Sequence, residues 1–571
     1  MRHVIYWRKS RVRDLRCDAL RPGHNGCARE LPIFTAWNCS LNTQVIIVGA
    51  GPVGLTLAVD LGRRGVRCIL LEQKDAPQFL PKMERCNART MEIYRRMGIA
   101  QKIRDAGFPR DTPMDVFIIT SLIEPPLLHL PYPSVAQAQA EIAACTDGSM
   151  PLEPYQLISQ YTLEPLLKAV AETLPGVDVR YGCEFISFKQ DDSGVRAHVK
   201  QGPTTTELSA QYLVGCDGGS SNVRRQLGIK LQGEANLLQL RQALYRCDDL
   251  FERIPIGKGR HYHVADAHST FLIVQDSTRH FTLHSVVDSD DEMKTMFEQT
   301  VAMPVKYEML SCAPWRQNLL LADGYGEGRV FLAGDAVHLV IPTGGLGMNS
   351  GVGDAVDLSW KLAAMLQGWG GPRLFSSYGI ERRQIGARNV EASRHASRGR
   401  RAWRAAWQPN IRDKTPEGAA TRANLARIAD VEQRKSNEMI GTELGYRYED
   451  SPIVWPEAGE APEPNFMKYE PTSWPGARLP HVWLSDGAAL HDRIGDGYTL
   501  LRLAGAQADT AVLAHAFASY GAPFAVLDID DDRPRDVYRY DLLLLRPDLH
   551  VVWRGNQLPD PARLAALATG H

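Results

Sequence analysis

The sequence has no C-x-x-C pair. Its ten cysteines are scattered over Cys17, Cys27, Cys39, Cys68, Cys86, Cys145, Cys183, Cys216, Cys247 and Cys312. That spacing excludes a zinc module, a dithiol redox centre and a disulfide framework, and leaves free thiols in a reducing compartment as the expectation. No uninterrupted apolar run approaches the ~18 residues of a membrane span. Charge of either sign is not in excess: 65 basic against 66 acidic residues give a net −1. A near-neutral chain lacks the bulk electrostatic drive of a nucleic-acid binder. The first forty residues contain no apolar h-region, so they do not read as a secretory signal. The expected partners therefore include neither nucleic acid nor membrane, and the expected location is cytoplasmic.

What those forty residues do hold is basic charge. Arg2, Arg8, Lys9, Arg11, Arg13, Arg16, Arg21 and Arg29 outnumber Asp14, Asp18 and Glu30. Two readings of residues 1–42 fit, a disordered extension or a start assigned too early, with Leu41 just ahead of the first strand. The remainder is ordinary globular composition, 44% hydrophobic, and 571 residues exceed one core. Two or three domains are expected.

The first motif is "TQVIIVGAGPVGLTLAVDLGRRGVRCILLEQ", Thr43 to Gln73. Val45 to Val48 is a short β-branched run, as in a buried parallel strand. Gly49, Gly51 and Gly54 then form G-x-G-x-x-G: a tight turn, a place for close approach of a pyrophosphate, and a close helix–strand contact. Pro52 and Val53 open the helix. Glu72 and Gln73 end a second strand about twenty residues on, where an acid can bind ribose hydroxyls. Strand, turn, helix, strand and acid in that order read as a dinucleotide site.

Two further stretches repeat the strand-to-helix design. "YLVGCDGGSSNVRRQLGI" places Asp217 and Gly218 after a strand, and "GRVFLAGDAVHLVIPTGGLGMNSGVGDAVDLSWKLAAML" places Gly334 and Asp335 after another. Together with the first motif these resemble the three fingerprints of class A flavoprotein monooxygenases, the single-component aromatic hydroxylases, over Val45 to about Leu366. The C-terminal part resembles the thioredoxin-like domain of the phenol hydroxylase relatives. The resemblance implies an α/β fold: a Rossmann-like FAD-binding domain over 43–400, with a substrate-binding antiparallel sheet inserted at about 110–135 and 230–312. Helices and a Pro-rich linker follow over 401–475, then the C-terminal domain over 476–571, which has no cysteine and so no dithiol chemistry.

The resemblance also implies site residues. The carboxylate of Asp335 accepts from ribityl hydroxyls. Gly345 and Gly347, with Gly344, let the backbone approach the isoalloxazine ring. The helix opening at Met348 and Asn349 turns its N–H groups toward the N1–C2 edge of the flavin, and Pro342 shapes the wall beside the reactive carbon. Gln160 in "ISQYTLEPLL" faces the FAD, and Asp217 lies near the pyrophosphate. Lys82, Arg85 and Arg89 are candidates for a basic residue at the pyrophosphate, and Arg224 or Arg225 for a phosphate contact. Asp354 and Asp357 read as solvated or capping residues.

On the substrate side, "GRHYHVADA", "STFLIVQDS" and "RHFTLHSVV" read as strands of the inserted sheet. Tyr262, His263 and His284 are candidates to line a pocket. Glu84 occupies the place where phenol hydroxylases carry an aspartate beside the phenol. Glu84 and Tyr262 are the candidate catalytic residues, through deprotonation of a substrate hydroxyl; a surface glutamate is the competing reading. The expected activity is NAD(P)H-consuming hydroxylation of an aromatic, specifically phenolic, substrate through a C4a-hydroperoxyflavin, with FAD as cofactor, NADH or NADPH and O2 as co-substrates, and a homodimer by analogy. Two alternatives stay open: oxygenation of a non-aromatic or polyketide substrate, of Baeyer–Villiger or epoxidation type, and FAD binding without turnover. A flavin halogenase is disfavoured because W-x-W-x-I-P is missing.

Overall fold

Residues of two sheets line one cavity, and the glycine motifs follow the C-terminal ends of inner strands of the first. The computed structural model describes residues 42–503 and 505–571. The expectations for residues 1–41, including the start at Leu41, lie outside the described residues. The first sheet has six strands in the order Gly326–Glu327, Val330–Leu332, Tyr212–Gly215, Val45–Val48, Cys68–Leu71 and Val177–Arg180. All joins are parallel except the first, which is a short hairpin. The strands Val45–Val48 and Cys68–Leu71 are buried at every position, which is why they read as unbroken apolar runs rather than alternating ones. The helices Pro52–Arg63 and Gly347–Leu366 start from the ends of sheet strands or the turns that follow them.

The second sheet has eight strands, ordered His338–Leu339, Glu308–Ala322, Leu231–Arg246, His280–Ser285, Phe271–Val274, His261–Val264, Val116–Ile119 and Leu128–Leu130. It is antiparallel except where His261–Val264 runs parallel to Val116–Ile119. It also extends past the expected limit near Cys312, through Ala322 to Leu339. The long strand Glu308–Ala322 was missed because its sequence, "EMLSCAPWRQNLLLA", carries a proline and little alternation. A separate three-stranded meander, Cys183–Asp191, Gly194–Gln201 and Thr204–Ala210, flanks the first sheet.

Helices occupy Arg373–Arg404, Pro416–Glu432 and shorter turns, and so begin before the expected limit at 401. A four-stranded sheet follows, ordered Phe524–Ile529, Tyr498–Leu503, Leu542–Leu545 and Val551–Gly555, with Thr510–Ser519 crossing between its two parallel strands. Its join to the rest is ionic as well as apolar. Arg546, fully buried, donates to Asp357 at 2.7 Å, Glu381 at 2.6 Å and Asp548 at 2.7 Å. Lys361 donates to Asp357 and Glu381 at 2.8 and 2.6 Å. Asp357 is thus a buried cluster member, not a solvated residue. No helix among the described residues is long and apolar enough to cross a membrane.

Candidate active site

The cavity measures about 840 Å³. At one end the backbone does most of the shaping. Gly49 has φ +104°, and a Cβ there would lie 2.4 Å from the Cys216 carbonyl oxygen. A Cβ on Gly54 would lie 2.0 Å from the Gly49 carbonyl oxygen, so only glycine lets this helix sit so close to the turn. Gly54 therefore supports the motif from behind and does not face the cavity. Among the described residues, a Cβ on Gly51 would meet no atom within 4 Å. It would project into open space beside the helix start, where Pro52 is the first residue and no side chain caps the amides. An uncapped N-terminus facing an open volume is an anion site. Glu72 accepts from the amides of Ala50 at 3.0 Å and Lys74 at 2.9 Å, and lines the same end with Gln73 and Val53.

Asp335 projects into the cavity from a 3-10 turn, Gly334–Ala336. Among the described residues its carboxylate has no hydrogen-bond partner. Its side chain reaches cavity space but is enclosed by protein; that enclosure raises its pKa, against the opposing pull of His338 and Lys82. Asp354 holds the turn in place. It accepts from the Gly334 amide at 3.0 Å, from His338 Nε2 at 2.8 Å and from Arg382 Nε at 2.8 Å. Burial opposes its charge, but Arg382 and His338 outweigh that and hold its pKa below the usual range. Expected as a solvated or capping residue, it is a fully buried prop beneath the motif.

The glycine-rich loop is held from below. Arg85 donates to the Gly344 carbonyl and approaches Glu443 at 3.5 Å. A Cβ on Gly345, which has φ +66°, would lie 2.7 Å from Arg85 Nε. Asn349 donates to the Gly345 carbonyl at 2.6 Å and accepts from the Asn87 amide at 2.9 Å. Arg85 and Asn349 therefore spend their side chains on the loop. Gly345, Gly347, Met348 and Pro342 line the cavity, and the helix Gly347–Leu366 begins there with no capping side chain and no acid in its first turn.

The other expected positions divide. Lys82 and Gln160 line the cavity, Gln160 donating to Glu164 at 2.6 Å. Asp217 caps the helix Asn222–Gln226 with one oxygen, at 2.7 Å from the Asn222 amide, and leaves the other unpartnered. Arg225 lines the cavity, whereas Arg224 is buried and donates to the Ala336 carbonyl at 2.8 Å. Arg89 is buried away from the cavity, against Glu92 and the Asp548 carbonyl.

The substrate-side choices need correction. Tyr262 is fully buried in the core behind the sheet, where its hydroxyl donates to the Gly257 carbonyl at 2.8 Å and accepts from the Gly259 amide at 2.9 Å. It does not face the cavity. His263 is covered by Gln433 and Trp403. Strand alternation puts positions 261 and 263 on one face and 262 on the other, and His261 is the residue that reaches the cavity. Its Nε2 lies 2.7 Å from Glu84 Oε2. Burial opposes charge on Glu84, but His261, Arg260 and Arg85 prevail and bring it down to about 2. Burial and Arg260 push His261 below its ordinary value despite Glu84. Near pH 7 the pair is therefore an ionised Glu84 accepting from a neutral His261, whose buried Nδ1 has no partner among the described residues. Arg260, His284, Phe271, Trp315 and Arg400 complete this wall. Arg260 and Arg400 carried no sequence signal as site residues, since each sits in an ordinary basic stretch.

An FAD group fits this donor set on three observations: open space over Gly51, an unpartnered Asp335, and two uncapped helix starts on one cavity. The comparisons agree. Residues 42–393 match the family model described as FAD binding domain, and residues 472–570 match aromatic-ring hydroxylase, C-terminal. The FAD-dependent monooxygenase apdD of Emericella nidulans is 32% identical, over 93% of this chain and 91% of its own length. RebC, solved after soaking with chromopyrrolic acid and with bound 7-carboxy-K252c, aligns with TM-score 0.84 and 31% identity over 92% of this chain and 99% of RebC. Aklavinone-11 hydroxylase, solved with FAD and aklavinone, aligns with TM-score 0.76 and 27% identity over 93% and 99%. The cofactor is FAD, the enzyme is an FAD-dependent monooxygenase, and the chain belongs to the class A flavin monooxygenases that hydroxylate aromatic rings.

Proposed function

We propose that this enzyme hydroxylates a phenolic ring, consuming one NAD(P)H, one proton and one dioxygen and releasing NAD(P)+ and water. The observation that carries the phenolic reading is the Glu84–His261 pair on the cavity wall. Nε2–H donates to Glu84, which fixes the tautomer and orients the carboxylate, the more exposed of the two groups, to accept from the substrate hydroxyl. Drawing on that proton loads electron density onto the ring. Bound FAD supplies the relay of two electrons from nicotinamide to dioxygen.

The holding groups follow from the same chemistry. Gly49, Gly51 and the turn at Pro52–Val53 receive the pyrophosphate, and Glu72 and Gln73 the adenosine ribose. Lys82 and Arg225 offset phosphate charge. Asp335 accepts from ribityl hydroxyls, and the backbone at Gly345–Met348 meets the ring. We read the C-terminal domain as thioredoxin-like, from its β-α-β crossover and antiparallel pair, as a structural element, and we expect a homodimer acting in the cytoplasm. A fused-ring or polyketide substrate is the second reading, favoured by the ligands of RebC and aklavinone-11 hydroxylase.

The test is a visible spectrum of purified protein, followed by NADH and NADPH oxidation with a panel of phenols and hydroxylated polycycles, tracking oxygen use and product mass. A product heavier by one oxygen, with flavin reduction accelerated by one compound, supports the reading and names the ring size. Nicotinamide oxidation to peroxide with every compound defeats it.

A further inference from the structure

The sheet end of the cavity holds more positive charge than its own residues neutralise. Arg260, 3% exposed, precedes the strand His261–Val264, and its Nε and Nη1 are buried without partners among the described residues. Its Nη2 donates to the side-chain oxygen of Asn437 at 2.9 Å. Arg400 reaches the same wall from the helix Arg373–Arg404, and its Nε is likewise buried and unpartnered. The one carboxylate acting on both is Glu84, already engaged by His261. The imidazoles beside them do not balance the charge. His284 falls to about 3, through burial and then Arg400, and His261 is lowered too, so both are neutral. Burial, and then the charge of Arg260 against the pull of Glu84, brings Arg400 down to about 10, the mark of a guanidinium short of a counter-ion.

The surface beside these arginines is aromatic. Phe271 and His284 stack at 4.5 Å between centroids, Trp315 meets His284 edge-on at 6.4 Å, and the Arg400 guanidinium lies 5.0 Å over the Phe271 ring. An aromatic cluster that ends in two guanidinium groups with unpartnered N–H groups matches an aromatic ligand that ends in an anion. Buried N–H groups without partners are costly, and a carboxylate satisfies the guanidinium fork in pairs. The pyrophosphate does not meet this need, because its place is the glycine turn on the other sheet.

We propose that the substrate is an aromatic carboxylic acid, its ring on the Phe271–His284–Trp315 cluster and its carboxylate held by Arg260 and Arg400. What happens after binding rests on the hydroxylase reading of this same site; the charge requirement does not.

The test uses the FAD-loaded enzyme and three probes: 6-hydroxy-2-naphthoic acid, its methyl ester and 2-naphthol. Binding is read from flavin absorbance changes and from tryptophan fluorescence. The acid is expected to bind about tenfold or more tighter than its ester. Arg400→Gln and Arg260→Gln are each expected to bring the acid down to the level of the ester, and Arg400→Lys, which keeps the charge without the fork, to an intermediate level. Equal affinity of acid and ester in the unaltered enzyme overturns the proposal, and that comparison needs no variant to fold. Persistence of the preference in Arg400→Gln, or no binding of the acid, overturns it as well. Tight acid binding without an oxygenated product supports the carboxylate site and counts against the hydroxylase reading. Oxygenation of 2-naphthol with no acid preference does the reverse.

Discussion

The two ends of the cavity solve recognition with different materials. At the flavin end, glycine backbone, helix starts and the carboxylates of Asp335 and Glu72 face the open volume, and the charged side chains of Asp354 and Arg85 brace the loops. At the sheet end, the facing groups are the side chains themselves: Glu84, His261, Arg260, His284 and Arg400. Backbone cannot be moved without moving the fold, so the flavin end should be rigid and intolerant. Side chains can be exchanged on an unchanged strand, so the sheet end is where substrate preference can vary while the cofactor stays the same.

The strongest way to break this contrast is to remove a brace. Arg382→Met leaves Asp354, 0% exposed, without its guanidinium while the carboxylate still holds the Gly334 amide. Stranding a buried charge costs about 3–5 kcal/mol. Thermal melting should fall steeply, and FAD retention should fall with it because the Gly334–Asp335 turn loosens. Full stability in this variant would mean that the brace is idle.

A pair of glycine variants sharpens the same point. Gly54→Ala drives a Cβ to 2.0 Å from a backbone oxygen, so apoprotein stability should drop by about 1–3 kcal/mol or more. Gly51→Ala puts its Cβ where no atom of the described residues lies within 4 Å. The apoprotein should melt as before, and FAD affinity alone should fall, read by fluorescence titration. Equal effects on both quantities in both variants would erase the distinction between packing and ligand approach.

These glycines also show how much the sequence carried. The flavin end was legible because its information is local: three turns, each read from a strand run and the spacing of two or three glycines. The order of elements around Gly49, Asp217 and Asp335 follows from that. The sheet end was legible only in part: Glu84 and His284 were candidates, but positions 260, 261 and 400 were not, because pairings such as His261 with Val116, which no local pattern specifies, bring these members together. Asp354 was misread for a related reason. Its partners, His338 and Arg382, lie 16 and 28 residues away, so a helix-surface periodicity could not reveal a buried contact.

A smaller effect tests the Glu84–His261 pair. The folded-state pKa of Glu84 is held at about 2, below its ordinary 4.5. Its contribution to stability is therefore fully present above pH 4.5 and is lost as pH falls toward 2. His261 acts in the same direction at higher pH, because a base buried neutral resists protonation once pH drops below 6.5. Melting temperature should decline on acidification below pH 6.5, and the part below pH 4.5 should be shallower in Glu84→Gln. An identical slope in the variant would mean that Glu84 is not held ionised by its neighbours.

The smallest expected effect concerns the residue that alternation moves out of the site. Tyr262 is adjacent in sequence to His261, and only the two-residue period of the strand separates a cavity residue from a core residue. Its hydroxyl is satisfied by the Gly257 carbonyl and the Gly259 amide, and its ring stacks on Phe117 at 5.2 Å. Tyr262→Phe keeps the ring and loses both hydrogen bonds, so stability should fall by about 1–2 kcal/mol. Turnover with any substrate, and its pH profile, should stay unchanged, since the hydroxyl reaches neither cavity nor cofactor. A pH profile that shifts in Tyr262→Phe would put the phenol in the proton path, and the division of labour between the two faces of this strand would have to be abandoned.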